Sequence, residues 1–306
     1  MKSRAHSHPK SNGLVRTTLA LVEAARPKQW LKNALLFVGL VFAVRLGNVE
    51  AVTQATLGFL AFCGLSSSIY FFNDLADLEQ DRQHPKKKFR PLASGRINRV
   101  QSIVAGGTLL IVCLTVSFMI NVRFGLIALG YVLLNVAYNA GLKNMVIVDV
   151  FILATFFVIR TIAGAVAIHV PISPWLYLCT ILAALFLGLA KRRHELLLLG
   201  EGASSHRLIL REYSAQMLEQ FITIVTASLV MAYSLYTFSA ENLPKDHSMM
   251  ITIPIVIFGI FRYLFLVHRR DGGGSPEDIL LADRPLIVTV LLLGIASVAV
   301  IYLRGR

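Results

Sequence analysis

The apolar positions of this chain are gathered into long runs, and short polar clusters separate one run from the next. A helix needs about 20 mostly apolar residues to cross roughly 30 Å of hydrocarbon, and these runs approach that length. Lipid offers backbone groups no hydrogen-bond partner and the runs do not alternate with polar residues, so helices are expected. The pattern predicts an all-α, polytopic membrane protein with a bundle of about nine transmembrane helices. The predicted spans lie near residues 33–47, 52–73, 102–120, 123–141, 145–168, 174–190, 220–240, 249–268 and 285–303.

The segment before the first run is basic and only partly apolar. Arg16 and Glu23 interrupt its apolar residues, which favours a short amphipathic helix on the membrane surface over a signal peptide. We therefore predict two parts. Residues 1–32 form a cytoplasmic basic N-terminus with an amphipathic helix, and residues 33–306 form a single transmembrane domain, whose polar residues make it the catalytic domain.

Composition and charge narrow the class of protein further. The mean hydropathy is +0.66, and 56% of the residues are hydrophobic while 15% are charged, which excludes an ordinary soluble domain. The formal net charge is +13, but the basic residues lie in short connections between apolar runs, so they indicate membrane orientation and no nucleic-acid partner. With a cytoplasmic N-terminus, 23 of the 30 Lys and Arg residues fall on the cytoplasmic side. We expect a multi-pass plasma-membrane protein with its active site on that side.

A carboxylate cluster stands at the inner end of the second predicted span. If the helix continues, Asn73, Asp77 and Asp81 repeat at every fourth residue, and Asp74 shares their face. Like charges so placed repel one another unless a cation lies among them, and hard oxygen ligands with room for phosphates suit Mg²⁺. The cluster predicts a Mg²⁺ site made by these four residues; a solvated acidic helix end is the alternative.

Basic and polar residues at other helix ends are candidates for binding phosphates. Arg90 follows the carboxylates in a turn-forming stretch, where a fixed guanidinium can hold a phosphate with two hydrogen bonds. The lysines at 86–88 are explained equally well as a membrane anchor. Asp149 and Arg160 are about three helical turns apart on one face, and Arg160 has either a structural or a substrate-binding role. The candidate substrate-binding residues are Lys32, Asn73, Lys86, Arg90, Tyr138, Lys143, Arg160, Lys191, Arg192 and Glu195.

The motif NDxxDxxxD from Asn73 to Asp81, at the inner end of a span among nine, resembles the UbiA-type intramembrane prenyltransferase superfamily. The stretch RPKQWLKN at 26–33 fits the same resemblance. Members typically carry a second aspartate-rich motif after the sixth span or nearby, whereas this chain reads KRRHE at 191–195. With that departure, the chain resembles the decaprenyl-phosphate phosphoribosyltransferase branch. Three further motifs carry this resemblance: HPxxxFRP at 84–91, IRxIAG at 159–164 and PEDI at 276–279.

The resemblance implies an enzyme that transfers 5-phosphoribose from phosphoribosyl diphosphate to a polyprenyl phosphate such as decaprenyl phosphate. It also implies Mg²⁺-assisted loss of diphosphate, with Asp74, Asp77 and Asp81 as catalytic residues. Because the reaction brings three phosphate-bearing groups together, basic residues in place of a second acidic motif agree with it. The expected partners are these two substrates and the lipid bilayer, and a homo-oligomer is compatible with the bundle.

Two other functions are left open by the residues. The first is a prenyltransferase of the same superfamily that joins an isoprenyl diphosphate to an aromatic or glycerol-phosphate acceptor. The second is a non-catalytic lipid transporter, although such a protein would place its ionisable residues along a path near the membrane midplane rather than at one face.

Overall fold

Helices make up the described part of the chain, which in this computed structural model comprises residues 13–171, 173–199, 208–240, 243–269, 279 and 282–304. No strand occurs among these residues, which confirms the all-α prediction. The α-helices are α1 (Gly13–Ala24), α2 (Val38–Phe42), α3 (Val49–Ala76), α4 (Leu78–Gln83), α5 (Arg99–Ile120), α6 (Val122–Ala140), α7 (Val148–Ala167), α8 (Pro174–Leu199), α9 (Ala215–Ser239), α10 (Ile253–Arg269) and α11 (Arg284–Arg304). Short 3₁₀ helices cover Pro27–Phe37, Lys87–Phe89, Leu142–Asn144, Leu208–Glu212 and Ser248–Thr252.

Eight helical segments of the described chain are long and apolar enough to cross a membrane. They correspond to eight of the nine predicted spans, so the protein is a multi-pass membrane protein. The first predicted span, 33–47, differs because it falls on the end of the Pro27–Phe37 3₁₀ helix and on α2, which has five residues.

Close packing against α7 explains why this first segment departs from a regular α-helix. A Cβ atom added to Gly164 of α7 would lie 2.1 Å from the carbonyl oxygen of Leu36, and one added to Gly39 would lie 3.2 Å from the backbone of Ala165. Backbone therefore meets backbone, which only glycine permits at such short range. A 3₁₀ run of eleven residues is unusually long, and this contact holds it in place.

The chain divides into two compact units, the first of which comprises residues 1–31 and 60–116. Its buried core includes Ala20 and Ala24 of α1, which pack with Phe71, Leu78 and Ile97. The opposite side of α1 exposes an apolar stripe at spacings of four and three residues, the pattern of a helix that lies in the membrane surface. This stripe consists of Val15, Leu19 and Val22.

The second unit comprises residues 32–59 and 117–306. Within it α8 packs against both α7 and α9, α6 packs against α7, and α10 packs against α11. Its main core is apolar and centres on α7, α8, α9 and α10. Large apolar side chains also cover the outside of its helices, where a soluble protein would carry polar groups. Examples of these exposed side chains are Ile224, Met231, Phe261, Ile295 and Leu303.

Candidate functional site

A break in the helix at Asp77 shapes the carboxylate cluster of the first unit. Helix α3 ends at Ala76, and Asp77 adopts φ −93° and ψ 8° before α4 begins. The amide of Asp77 still donates to the carbonyl of Asn73 at 2.9 Å, and the amide of Asp81 donates to that of Asp77 at 2.8 Å, so the helix bends rather than unwinds. The regular helix that would place the four residues on one face is therefore interrupted at Asp77. Its dihedrals lie in the sparsely populated bridge region, where many active-site residues sit.

Two arginines neutralise the buried members of this cluster. Asp74 and Asp81 are 4% and 1% exposed, respectively. Nη1 of Arg90 lies 3.1 Å from Oδ1 of Asp74 and 2.6 Å from Oδ2 of Asp81, so one nitrogen bridges both carboxylates. Arg26 donates a second charged hydrogen bond to the same Oδ1 of Asp74. Asp74, Asp81, Arg26 and Arg90 form what we call the arginine–carboxylate group.

Oδ1 of Asp81 is buried without a hydrogen-bond partner among the described residues. The ammonium group of Lys87 stands 3.8 Å away, beyond hydrogen-bond distance. A buried carboxylate oxygen left without a donor is costly, which marks this position as one suited to a cation. Asn73 and Asp77, the other two predicted ligands, precede Asp81 in the chain and are half-buried.

The chemistry of these donors fits Mg²⁺ although the described residues contain no cluster of three His, Cys, Asp or Glu groups that could hold a metal. Mg²⁺ is commonly held through one or two carboxylates while water and substrate phosphates complete its shell. The free oxygen of Asp81, with Asp74 joined to it through Arg90, meets that requirement with two carboxylates.

The loop behind the carboxylates is fixed by its own polar contacts. The amide of Lys86 donates to Nδ1 of His84 at 3.1 Å, while the side chain of Lys86 is exposed. Arg96 binds Glu23 of α1 through two hydrogen bonds of 2.6 and 2.8 Å and also donates to the carbonyl of Phe89 at 2.8 Å. The hydrogen bond from Arg96 lowers the pKa of the Glu23 carboxyl below its usual value. Arg96 thus joins α1 to the loop that carries Arg90.

A second polar group lies within the second unit, where Asp149 is fully buried and Arg192 is 1% exposed. Nε of Arg192 lies 2.5 Å from Oδ2 of Asp149, and its Nη1 lies 2.6 Å from Oε2 of Glu195. The hydroxyl of Tyr213 donates to Oδ1 of Asp149 at 2.9 Å and accepts from the amide of Ile147 at 2.6 Å. Burial raises the pKa of Tyr213 to about 12, so it remains a donor at neutral pH.

Sequence reasoning placed Arg192 and Glu195 in the site but missed Tyr213 and the pairing of Arg192 with Asp149. The available signal was Asp149 itself, because an acidic residue at the start of a span needs a buried partner. Arg193, next in the chain, pairs with Glu219 at 2.7 Å and is separate from this group.

Arg160 is bound on all three guanidinium nitrogens inside the second unit. Nε donates to Asn33 at 2.6 Å, Nη1 to the carbonyl of Phe156 at 2.6 Å, and Nη2 to the hydroxyl of Tyr131 at 3.0 Å. Its guanidinium also lies over the ring of Tyr131, 4.9 Å from the centroid. Of the two expected roles, this geometry favours the structural one, since Arg160 ties α6, α7 and the first 3₁₀ helix together.

The remaining predicted site residues lie on α6, on α8 and on two of the 3₁₀ helices. Tyr138 of α6 is half-buried and packs edge-on against Phe156, with ring centroids 6.0 Å apart. Lys32, Lys143 and Lys191 are also half-buried. The motif at 276–278 lies outside the described residues.

Comparisons with known proteins agree with this geometry. The model of the UbiA prenyltransferase family matches residues 34–277. A match over most of the chain defines the class of protein, a membrane-embedded transferase. The chain belongs to the UbiA prenyltransferase family.

Several relatives carry a more specific name. The decaprenyl-phosphate phosphoribosyltransferase of Mycolicibacterium smegmatis is 32% identical, with 89% of each chain covered. That of Corynebacterium glutamicum is 30% identical, covering 92% of this chain and 87% of the relative. Among solved structures, a UbiA homologue from Archaeoglobus fulgidus bound to GPP and Mg²⁺ superposes with a TM-score of 0.71 at 20% identity, over 92% of this chain and 99% of that one. The structural likeness confirms the fold.

Proposed function

We propose that this protein transfers 5-phosphoribose from phosphoribosyl diphosphate to a polyprenyl phosphate, with decaprenyl phosphate as the acceptor its relatives' name suggests. The observation that carries the proposal is the arginine–carboxylate group. It places two buried carboxylates and two guanidinium groups together, with one buried oxygen left for a cation. Such a set suits a magnesium diphosphate, which is the leaving group of this reaction.

Within this proposal Asp74, Asp77 and Asp81 hold Mg²⁺, with Asn73 as a further oxygen ligand. When bound, the ion neutralises charge that develops on the departing diphosphate. Arg90 and Lys86 bind phosphate oxygens at the same end of α3. Arg90 is suited to this because its guanidinium side chain is 28% exposed and so reaches solvent.

Lys32, Lys143 and Lys191 are the candidates for the other phosphates of the two substrates, since each is a half-buried cation. Arg192 has a different role in the proposal. Its charge is balanced by Asp149 and Glu195, and it is almost fully buried. It therefore orients its acidic neighbours. Tyr138, in the last turn of α6, is a further candidate for contact with substrate.

The chemistry needs little from the protein beyond positioning and charge. An oxygen of the lipid phosphate forms a bond to C1 of the ribose while the bond from C1 to the diphosphate breaks. Because the lipid phosphate is already anionic, no strong general base is required. Alignment of the two substrates and neutralisation of the leaving group supply most of the rate acceleration.

We also propose that the reaction takes place at the cytoplasmic face of the plasma membrane. The excess of Lys and Arg in alternate connections supports this orientation. A highly charged sugar diphosphate would be supplied from that side, while the polyprenyl tail stays among apolar side chains or lipid.

The test is a transfer assay with full-length protein in detergent or lipid nanodiscs. Phosphoribosyl diphosphate labelled in the ribose is incubated with decaprenyl phosphate and Mg²⁺, and the label should appear in the lipid fraction and disappear when EDTA is added. Geranylgeranyl diphosphate with an aromatic or glycerol-phosphate acceptor is the competing pair. Consumption of the isoprenyl donor with no labelled lipid from the ribose donor would replace this proposal by a prenyl transfer.

Asp74→Asn is the variant that ties the activity to the carboxylates. It removes one negative charge from the metal site, and we expect turnover to fall about 10²-fold or more because electrostatic stabilisation of the leaving group is weakened. Glu79→Gln is the matched control, since Glu79 is 66% exposed and pairs with Arg82 and Arg99 on the surface. Equal activity in the two variants would show that the arginine–carboxylate group is no metal site.

A further inference from the structure

Arg26 is fixed in the arginine–carboxylate group by its backbone as well as by its side chain. Its φ is 54°, a region that few residues other than glycine adopt. Its amide donates to the carbonyl of Glu23 at 3.1 Å, and its carbonyl accepts from the amide of Gln29 at 2.9 Å. The chain turns sharply here between α1 and the 3₁₀ helix, and the turn delivers the guanidinium to Asp74 and over the ring of Tyr70, 4.6 Å from its centroid.

Arg26 and Arg90 converge on a single carboxylate oxygen, Oδ1 of Asp74. Arg90 also holds Asp81. Buried carboxylates are costly without counter-ions, and these guanidinium groups supply the opposite charge at the end of a membrane helix. In the proposed function, these two carboxylates would also hold Mg²⁺.

We propose that Arg26 and Arg90 are exchangeable counter-ions that make the site bind Mg²⁺ and a diphosphate as a pair. In the absence of ligand they neutralise Asp74 and Asp81. When the pair enters, they transfer their hydrogen bonds from the carboxylates to the phosphate oxygens. This inference rests on the proposed function and adds to it a binding role for Arg26 and a mode of donor loading.

The charges explain why neither ligand binds well alone. Mg²⁺ alone would add two positive charges beside two guanidinium groups. These groups would lose their carboxylate partners to the ion and would gain no new anionic partner. A diphosphate alone would meet the buried carboxylates. Together the two ligands cancel each other's charge, and the planar guanidinium forks match phosphate oxygens as well as they match carboxylates. Both arginine side chains are 28% exposed, so each has an open side from which to change partner.

Isothermal titration of the full-length protein in detergent measures this coupling directly. The ligands are Mg²⁺ alone, inorganic pyrophosphate alone, and each in the presence of the other at saturation. We expect each ligand to bind about tenfold more tightly, or better, when the other is present, and the factor must be the same in both directions because binding free energies are linked. Additive binding of the two ligands would overturn the proposal.

Arg26→Gln separates charge exchange from a structural role. Removing the cation beside Asp74 should strengthen binding of Mg²⁺ alone by about fivefold and reduce the coupling by a similar factor. If Arg26 had a purely structural role, the substitution would instead weaken the binding of every ligand. Arg26→Lys keeps the charge, so its affinity for Mg²⁺ alone should stay as low as that of the wild type.

Arg99→Gln is the control, because Arg99 is an arginine of the same unit that pairs with Glu79 at the surface. It should leave both affinities unchanged. If the wild-type protein binds no pyrophosphate even with Mg²⁺, the proposed diphosphate site and the exchange fail together. If it binds the pair and Arg26→Gln keeps the wild-type affinity for Mg²⁺ alone and the wild-type coupling, only the exchange is refuted.

Discussion

Single residues in this protein carry charge into places where membrane proteins rarely tolerate it, and the partners of Asp149 show how one such charge is stabilised. Asp149 is paired with Arg192, and its second oxygen accepts from Tyr213. Tyr213 comes from a segment that no span prediction covers, yet its hydroxyl joins a buried carboxylate to the backbone of Ile147. Ile147 has a φ of 68°, a real outlier for a β-branched residue. The tyrosine therefore stabilises both an acid and a strained turn.

Tyr213→Phe should reveal this contribution as a loss of stability. The substitution keeps the ring but leaves Asp149 and the amide of Ile147 with one hydrogen bond fewer, which costs about 1–3 kcal/mol when the groups are buried. A lower melting temperature in a thermal-shift assay in detergent is the measurement. Tyr177→Phe provides the comparison, since Tyr177 is an exposed tyrosine of α8 and should melt like the wild type. A Tyr213→Phe protein as stable as the Tyr177→Phe protein would contradict this account.

At the scale of helices, the apolar pattern predicted the architecture because span length and lipid chemistry leave few alternatives. It did not predict the 3₁₀ geometry of Pro27–Phe37, since that depends on how closely the segment meets α7 at Gly164. The break at Asp77 was equally invisible, because the repeat of acidic residues is the same for a straight helix and a bent one. The first of these features involves a contact between segments far apart in sequence.

Gly164→Ala tests the contact between α7 and the first 3₁₀ helix. The added methyl group would overlap the carbonyl of Leu36, so we expect a loss of about 1–3 kcal/mol from overpacking and a lower melting temperature. Gly130→Ala is the matched helical change, because a Cβ atom there meets nothing within 4 Å. It should be neutral or stabilise the protein by about 0.5–1 kcal/mol. Similar melting temperatures for the two variants would rule out the tight contact.

The candidate site, like the fold, could be predicted from the sequence only in part. Residue types and spacing were enough to select Asp74, Asp81 and Arg90, which the structure brings together. They were not enough to select Arg26, which precedes Asp74 by 48 residues and reaches it only through a backbone turn. Spacing within one helix can be read from sequence, whereas a contact across a turn depends on tertiary structure.

At the scale of the whole molecule, the distribution of basic residues makes a prediction about orientation that substitutions can test. Lys88 and Lys245 are both exposed and lie on connections that we assign to opposite sides of the membrane. In intact cells, a membrane-impermeant maleimide should label Lys245→Cys but should label Lys88→Cys only after permeabilisation. Cys63 and Cys113 are buried, so the wild-type protein measures the background from native thiols. The reverse labelling pattern would place the proposed active site outside the cell.

Arg160 has a consequence for permeability as well as for architecture. All the partners found for its guanidinium are neutral, namely an amide, a backbone carbonyl and a phenol, so a net positive charge stays in the interior of the bundle. A fixed positive charge within a span repels protons and metal cations that would otherwise follow polar groups through a helical bundle. We therefore expect the charge of Arg160 to oppose the passage of protons and metal cations through this bundle.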